Sequence, residues 1–179
     1  MAILKIAKMG HPILRRRAAK VIHPSSPDVR RLVDDMIETM EDSQGAGLAA
    51  PQVHVSKRIV IFKVSEGKDQ LNDEVVPLTV LINPVVEPLT PNFYVDWEGC
   101  LSVPGLMGEV PRSCKVRYRA ISLDNKPIDR IAEGFHARVV QHECDHLDGF
   151  LYPQRMRELS TLIFSDQYRY QIDVDLKNE

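Results

Sequence analysis

Apolar residues recur every three or four positions between Ser26 and Gly45, which is the spacing of one face of an α-helix. The residues on this face are Val29, Leu32, Val33, Met36, Ile37 and Met40. Ser26 can cap the helix, Pro27 suits its first turn, and Asp28 favours the positive end of the helix dipole. The sequence therefore predicts an amphipathic helix that packs by one face and ends just before Gly45.

Short apolar runs bounded by turn residues follow this helix and predict strands. The predicted strands cover residues 58–64, 77–84, 85–89, 97–105, 115–123 and 127–133. The strand over residues 97–105 is expected to end in a turn at Pro104 and Gly105. The last two strands are expected to form a hairpin, because the turn-forming residues Asp124 and Asn125 lie between them.

A helical pattern returns between Gly134 and Gly149. One stripe of this helix consists of Phe135, Val139, His142 and His146. A helix whose inward face is partly aliphatic and partly histidine is expected to be buried. The fold is therefore predicted as α+β, with short antiparallel strands packed around this central helix and an additional N-terminal helix. One catalytic domain over residues 1–179 is expected, and the tail after about residue 165 has no assignable pattern.

Composition and charge narrow the classes of function. The chain has a net charge of −2, which argues against a protein that binds nucleic acid by bulk electrostatics. Its three cysteines are an odd number and too few for a disulfide scaffold, so a reducing compartment is expected. The first residues lack the apolar segment of a signal peptide, and no apolar run approaches the length of a membrane span. We therefore expect a cytoplasmic protein without nucleic-acid or membrane partners.

The segment QHECDHLDG, residues 141–149, contains the pattern H-E-x-x-H on the second predicted helix. His142 and His146 lie one turn apart on the same face, so both can reach one divalent ion. Glu143 is rotated by about 100° from His142 and can take a proton from water without binding the metal. A polar helix face with two solvated histidines is the alternative, which the apolar remainder of the stripe disfavours. The helix is therefore predicted to be metal-binding.

The spacing leaves the third metal ligand open. One zinc-protease pattern places a third histidine where this chain has Tyr152, and a glutamate further downstream fits poorly at Glu158. Cys144 is turned by about 160° from His146 and is expected to fill the core. The alternative is a thiolate. Cys114 lies in a strand of alternating pattern and is expected to pack inside, whereas Cys100 lies in a predicted strand-to-turn segment. An H-E-x-x-H endopeptidase and a zinc-stapled binding module without catalysis are the rival functions.

Three segments together resemble the three signature motifs of the peptide deformylase family, in the same order and at similar separations. They are GAGLAAPQ at residues 45–52, EGCLSVPG at residues 98–105 and QHECDHLDG at residues 141–149. The resemblance runs from about Ile6 to Met156, most of the chain. It implies a metal-dependent hydrolase that removes the formyl group from the N-terminal formyl-methionine of new proteins and releases formate.

The resemblance also implies the residues that carry out the chemistry. Cys100, His142 and His146 would bind the metal and leave its fourth position to water. Glu143 would take a proton from that water and give it to the departing amine. Two donors would stabilise the oxyanion, namely the side-chain amide of Gln52 and the backbone N–H of Leu101.

For the substrate, the resemblance implies an extended peptide that pairs with main-chain atoms such as those of Gly47. A pocket for the methionine side chain would be formed by Ala46, Leu101, Phe135, Val139 and the ring of His142. Met107 stands where family members often have a polar or aromatic residue, which leaves the contacts beyond the first substrate residue open. Arg138, among aliphatic neighbours, is expected to form a structural salt bridge, and Arg112 and Asp145 are expected to pair similarly.

The resemblance implies one divalent metal ion, Fe(II) in the cell, with zinc or nickel in purified protein. Two imidazoles and a thiolate suit all three metals, and cobalt as well. The implied partners are nascent formyl-methionyl peptides. Transient association with the ribosome is a further expectation, because some family members dock there through a basic C-terminal helix, although this tail ends acidic.

Overall fold

The chain forms two antiparallel sheets and three α-helices in a computed structural model that describes residues 2–67 and 74–175, with side chains to residue 171. The strands are β1 (Gly47–Ala49), β2 (Ile59–Val64), β3 (Val76–Pro88), β4 (Phe93–Cys100), β5 (Val103–Ser113), β6 (Lys115–Ile121), β7 (Pro127–Glu133) and β8 (Ile163–Phe164). The larger sheet has the order β1-β2-β3-β6-β7, and the smaller one the order β4-β5-β8. The predicted α+β class is confirmed.

Helix α1 (Pro27–Asp42) packs its apolar face onto one side of the larger sheet. The Ser26 side chain accepts a hydrogen bond from the backbone N–H of Val29, as the capping pattern predicted. Met36 and Met40 are fully buried on this face against Ile59 and Ile61 of β2. The predicted helix is therefore confirmed, with its end at Asp42.

Helix α2 (Gly134–Asp148) packs on the opposite side of the same sheet and also contacts β5 of the smaller sheet. Val140 and Leu147 are fully buried against Val60 and Phe62 of β2. Because β2 is covered on both faces, its sequence is a continuous apolar run rather than an alternating one. The central position predicted for this helix is confirmed.

The predicted strands at residues 77–84 and 85–89 are one strand, β3, with an irregularity between Ile82 and Val85. Asn83 adopts a left-handed conformation there, with φ of 54°. Its side-chain amide accepts from the Val21 N–H and donates to the Val21 carbonyl, both at 2.9 Å. Asparagine tolerates this conformation, so the strand continues through a bend where the sequence suggested a break.

The turn predicted at Pro104 and Gly105 lies elsewhere. Leu101 and Ser102 form the turn between β4 and β5, and Cys100 pairs directly with Val103. The backbone N–H of Ser102 lies 3.4 Å from the Cys100 sulfur, to which it donates. This tight turn therefore forms around the thiol, and Pro104 and Gly105 belong to β5.

The tail after residue 165, which had no sequence assignment, forms a 3-10 turn (Ser165–Gln167) and a short helix, α3 (Tyr168–Asp175), and strand β8 directly precedes it. Strand β8 pairs with the middle of β5. None of the described helices has the length and apolar character that crossing a membrane requires.

Gly149, which caps α2, offers a test of the packing between this helix and the N-terminal segment. Its φ is 85°, and an added Cβ would lie 2.8 Å from the Arg15 carbonyl carbon. We expect Gly149→Ala to lower the free energy of unfolding by about 3 kcal/mol, through both left-handed strain and backbone displacement. Urea denaturation measures this loss.

Gly67→Ala is the matched control, because Gly67 has a φ of 72° and no described atom lies within 4 Å of an added Cβ. It should cost only the conformational strain, about 1 kcal/mol. Equal losses in the two variants would contradict a role for the Arg15 contact.

Candidate active site

The residues predicted for the site converge on one cavity of about 510 Å³. Its lining includes Ala46, Gly47, Gln52, Cys100, Leu101, Phe135, Val139, His142 and Glu143. His146 lies at its edge, with Nε2 3.4 Å from the Cys100 sulfur. Strand β1 and the following 3-10 turn (Ala50–Val53), the β4–β5 turn and α2 supply these residues. Segments far apart in sequence are thus assembled around one helix face.

Cys100, His142 and His146 form a group that could hold a metal ion. One ligand atom from each residue lies within 4.8 Å of the others. Helix α2 presents the two imidazoles one turn apart, and the end of β4 brings the sulfur to them. Burial alone would raise the pKa of the Cys100 thiol, but His146 and His142 outweigh that effect and hold the pKa well below its ordinary value. The thiolate is the metal-binding form, so the donor set fits a divalent ion.

Glu98 orients one of the two imidazoles. Its Oε2 lies 2.8 Å from Nδ1 of His142, which leaves Nε2 of that ring for a metal. Burial opposes ionisation of Glu98, yet hydrogen bonds with His142 and Arg112 hold the pKa of this carboxyl far below its ordinary value. Sequence reasoning assigned Glu98 no role. Strand alternation gave no clear signal, because the pairing is irregular between Gly99 and Cys100 and the partners of Glu98 come from other elements.

The arginine pairs predicted around α2 are confirmed, and Glu98 is their common partner. Arg112 donates to both oxygens of Glu98 at 2.9 and 3.0 Å, and to Asp145 of α2 at 2.6 Å. Arg138 donates to Glu98 at 2.8 Å and to the backbone carbonyls of Val110 and Tyr94. These bonds tie the β4–β5 hairpin to α2, so they fix the position of the thiol relative to the histidines.

The side-chain amide of Gln52 is held with its nitrogen toward the metal group. Its Oε1 accepts a hydrogen bond from the Ala49 N–H at 2.8 Å. Its Nε2 lies 3.1 Å from the hydroxyl of Ser102 and 3.5 Å from the Cys100 sulfur. Gln52 is only 1% exposed, so its orientation is determined by these partners. The N–H groups are therefore directed at Cys100, on the cavity wall, and at Ser102, a contact that sequence reasoning missed.

Glu143 is buried beside the two histidines. Burial raises the pKa of its carboxyl to about 7. Its Oε2 is buried and has no hydrogen-bond partner among the described residues. A carboxylate with a pKa near neutrality can accept and return a proton under cellular conditions.

Gly47 has its main-chain polar groups on the free edge of the larger sheet. The Lys63 N–H donates to the Ala46 carbonyl at 2.9 Å, which makes these two residues a hydrogen-bonded pair across β1 and β2. Gly47 pairs with Phe62 in the next, non-hydrogen-bonded register position. Its N–H and carbonyl therefore face away from β2, and β1 is an edge strand.

Gly47 also lies directly against Glu143. A Cβ added at this position would overlap the Glu143 carboxylate and lie 2.6 Å from its Cδ. The absence of a side chain at this position thus allows the buried carboxylate to approach β1.

Two residues near the motif are outside the metal group. Cys144 is buried in the core with Val140 and Leu147, as predicted, and burial raises the pKa of its thiol far above the ordinary value. Tyr152, which stands where the zinc-protease pattern has a histidine, is buried with its ring 6.4 Å from that of His142. The possible metal group contains Cys100 instead.

Comparisons with known proteins agree on one family. The family model for polypeptide deformylase matches residues 3–161. The chain is 49% identical to peptide deformylase 1 of Nitrosomonas europaea, over 92% of this chain and 93% of that protein. It is 51% identical to peptide deformylase 1 of Bordetella pertussis, over 90% and 92%. A Met-Ala-Ser-bound class I type b peptide deformylase of Acinetobacter baumannii superimposes with a TM-score of 0.80 at 35% identity, covering 87% of this chain and 99% of that one.

Gly47→Ala tests whether Glu143 needs the space beside β1. We expect turnover of a formyl-methionyl peptide to fall roughly 100-fold, because the added methyl group displaces the carboxylate by about 1 Å or more. Metal content by elemental analysis should be retained, since no ligand moves. Gly99→Ala is the control, because its Cβ would meet no described atom closer than 3.8 Å. If Gly47→Ala were as active as this control, Glu143 would not need the space beside β1.

Proposed function

The chain belongs to the peptide deformylase family and removes the formyl group from the N-terminal formyl-methionine of new polypeptides, and we propose that it does so with a divalent metal held by Cys100, His142 and His146. The observation that carries the proposal is the grouping of these three ligands beside the buried carboxylate of Glu143. A structural zinc site would have four protein ligands and no use for this carboxylate.

The donor set supports a divalent transition metal, and the choice among such metals follows from the family. A divalent ion bound there would polarise the formyl oxygen and lower the pKa of a coordinated water. Fe(II) is the proposed ion in the cell, and the same ligands suit zinc and nickel. Glu98 keeps Nδ1 of His142 occupied, which holds this ring in the orientation that binding requires.

Glu143 is the proposed general base and then the general acid. With a pKa of about 7, its carboxylate takes a proton from the water that attacks the formyl carbon. When the C–N bond breaks, the same group returns the proton to the departing amine. Formate and a peptide with a free amino terminus result, and the carboxylate is restored.

Gln52 and Leu101 are the proposed donors to the oxygen that gains negative charge. The amide of Gln52 is held by the Ala49 N–H, so it does not need to reorganise during the reaction. The backbone N–H of Leu101 follows directly after Cys100 in the turn between β4 and β5. Neutral donors suit this task because they stabilise an anion without competing for the metal.

The substrate is proposed to add as an extended strand along β1. The outward-facing main-chain groups of Gly47 supply pairing that does not depend on side chains, which suits an enzyme acting on many nascent chains. The methionine side chain would enter the apolar part of the cavity, among Ala46, Leu101, Phe135, Val139 and the His142 ring. The Met-Ala-Ser peptide bound by the Acinetobacter enzyme supports a methionine at this position.

The setting of the reaction is proposed from the family. Its substrates are nascent formyl-methionyl chains, which places the enzyme in the cytoplasm. Transient ribosome association stays a prediction, to be tested by co-sedimentation.

Glu143→Ala and Cys100→Ala separate the proton-transfer role from the metal-binding role. Glu143→Ala should keep the metal and lose formate release by a factor of about 10²–10⁴, because general acid–base catalysis is removed. Cys100→Ala should lose or weaken metal binding. Both are measured by formate release from a formyl-methionyl peptide together with elemental analysis.

Cys114→Ala is the matched control for the thiol, because Cys114 is a free, half-buried cysteine outside the metal group. It should retain both metal and activity. Full metal content and activity in Cys100→Ala would show that the ligand assignment is wrong.

Gln52→Leu tests the oxyanion donor, since leucine keeps the volume and removes the N–H groups. We expect kcat to fall by a factor of about 10²–10³ with little change in KM, because the lost interaction strengthens only in the transition state. Steady-state kinetics at constant metal content make the measurement. A change confined to KM would assign Gln52 to ground-state binding instead.

A further inference from the structure

The active-site cavity continues past the metal group to a second wall. Beyond Cys100 it is lined by Trp97 of β4, by Pro104, Gly105 and Leu106 of β5, and by Ser165. Ser165 belongs to the C-terminal part of the chain, which lies outside the three signature motifs and has no part in the hydrolysis derived above. We call residues 163–168 the C-terminal wall segment.

Main-chain and apolar contacts hold the C-terminal wall segment against the cavity. Strand β8 pairs with β5 so that Phe164 opposes Leu106 and Ile163 opposes Met107. The preceding residues Met156 and Leu162 pack in an apolar cluster that also contains Cys100 and Leu106. Gly108 makes room for this packing, because an added Cβ would lie 2.6 Å from the Met156 methyl carbon. The segment is therefore an integral part of the cleft.

An aromatic pair joins this segment to β4. The rings of Trp97 and Tyr168 are 5.2 Å apart between centroids and inclined at 69°, an edge-to-face arrangement of favourable geometry. Trp97 is half-buried and immediately precedes Glu98, so its backbone is fixed by the same strand that carries the metal ligand. Its ring contacts that of Tyr168, which is also half-buried.

We propose that the C-terminal wall segment forms the subsite for the residues that follow formyl-methionine, and that Tyr168 positions the Trp97 ring against them. An extended peptide advances by about 3.3 Å per residue, so the second and third residues leave the methionine pocket and pass along this wall. The exposed chemistry there is apolar and aromatic, from Trp97 and Leu106 of the lining, and the 65%-exposed Phe164 lies next to it, opposite Leu106. The subsite therefore favours substrates with an apolar third residue, which lies farther along this wall than the second. This inference rests on the proposed function of the same site.

Kinetics with two substrates test the positioning role. Formate release is compared for formyl-Met-Ala and formyl-Met-Ala-Leu, with metal-loaded wild type, Tyr168→Ala and Tyr168→Phe. Tyr168→Ala should lower kcat/KM for the longer peptide about fivefold, through KM, because the Trp97 ring loses its support. The shorter peptide should change by less than about twofold. Tyr168→Phe keeps the ring and should behave as wild type.

Tyr170→Ala is the matched control, because Tyr170 is a 51%-exposed tyrosine on the same helix whose described ring contact is with Arg169. It should leave both substrates unchanged. An equal loss for both peptides in Tyr168→Ala, or no loss for either, would overturn the positioning role. Wild type that releases no formate from either peptide would instead contradict the proposed function.

Fluorescence provides a readout that needs no turnover, since Trp97 is the only tryptophan in the chain. Titration with the unformylated peptide Met-Ala-Leu should change the emission of wild type, and titration with methionine alone should not. Tyr168→Ala should weaken the response to Met-Ala-Leu about fivefold in apparent Kd. Identical responses to the peptide and to methionine would overturn the proposed subsite, whatever the activity of the enzyme.

Discussion

The rest of the site depends on the buried hydrogen bonds of the Glu98 carboxylate. This carboxylate lies 5% exposed and receives hydrogen bonds from Arg112 and Arg138 while it orients His142. Without such partners, a buried carboxylate would be protonated, or the chain that carries it would not fold. Removing one member of a buried charge pair typically costs about 3–5 kcal/mol, because the other charge is left uncompensated. These contacts therefore link the hairpin that carries Cys100 to the helix that carries the histidines. The loss of either partner would destabilise the fold.

The burial of α2 then determines the chemistry of its polar residues. The helix is packed between the larger sheet and β5, so its inward groups are removed from water. For Glu143 this raises the pKa toward neutrality, whereas Cys100 has two histidines beside it and its pKa falls. A base and a thiolate ligand thus arise in the same cavity from opposite balances of desolvation and charge. The H-E-x-x-H pattern alone predicts neither the raised pKa of Glu143 nor the lowered pKa of Cys100.

Much of this arrangement could be predicted from the sequence because it depends on local periodicity or on motif spacing. The capped helix at Ser26, the strand before the hairpin turn at Asn125 and the placement of two histidines on one helix face are local properties. The bend at Asn83 depends on a hydrogen bond with the distant Val21, and the turn around Cys100 depends on a hydrogen bond to sulfur. The periodicity of apolar residues contains no signal for either contact. Glu98 was overlooked for a different reason, because its role exists only when Arg112 and Arg138 arrive from other elements.

The two sides of the proposed peptide cleft differ, because one presents main-chain groups and the other presents side chains. On one side, β1 presents main-chain groups at Gly47, and the atoms nearest to an added Cβ there belong to Glu143, the proposed catalytic carboxylate. Pairing there is uniform for every peptide, so it can position the formyl group without selecting a sequence. On the other side, Trp97 and the C-terminal wall segment present side chains, whose contacts differ from one peptide to the next. Main-chain pairing would thus set the position of the peptide, and side-chain contacts with the wall would set its preference. The wall is still coupled to the metal group, because Trp97 lies on the same strand as Glu98 and Cys100, and Met156 and Leu162 pack in one cluster with Cys100.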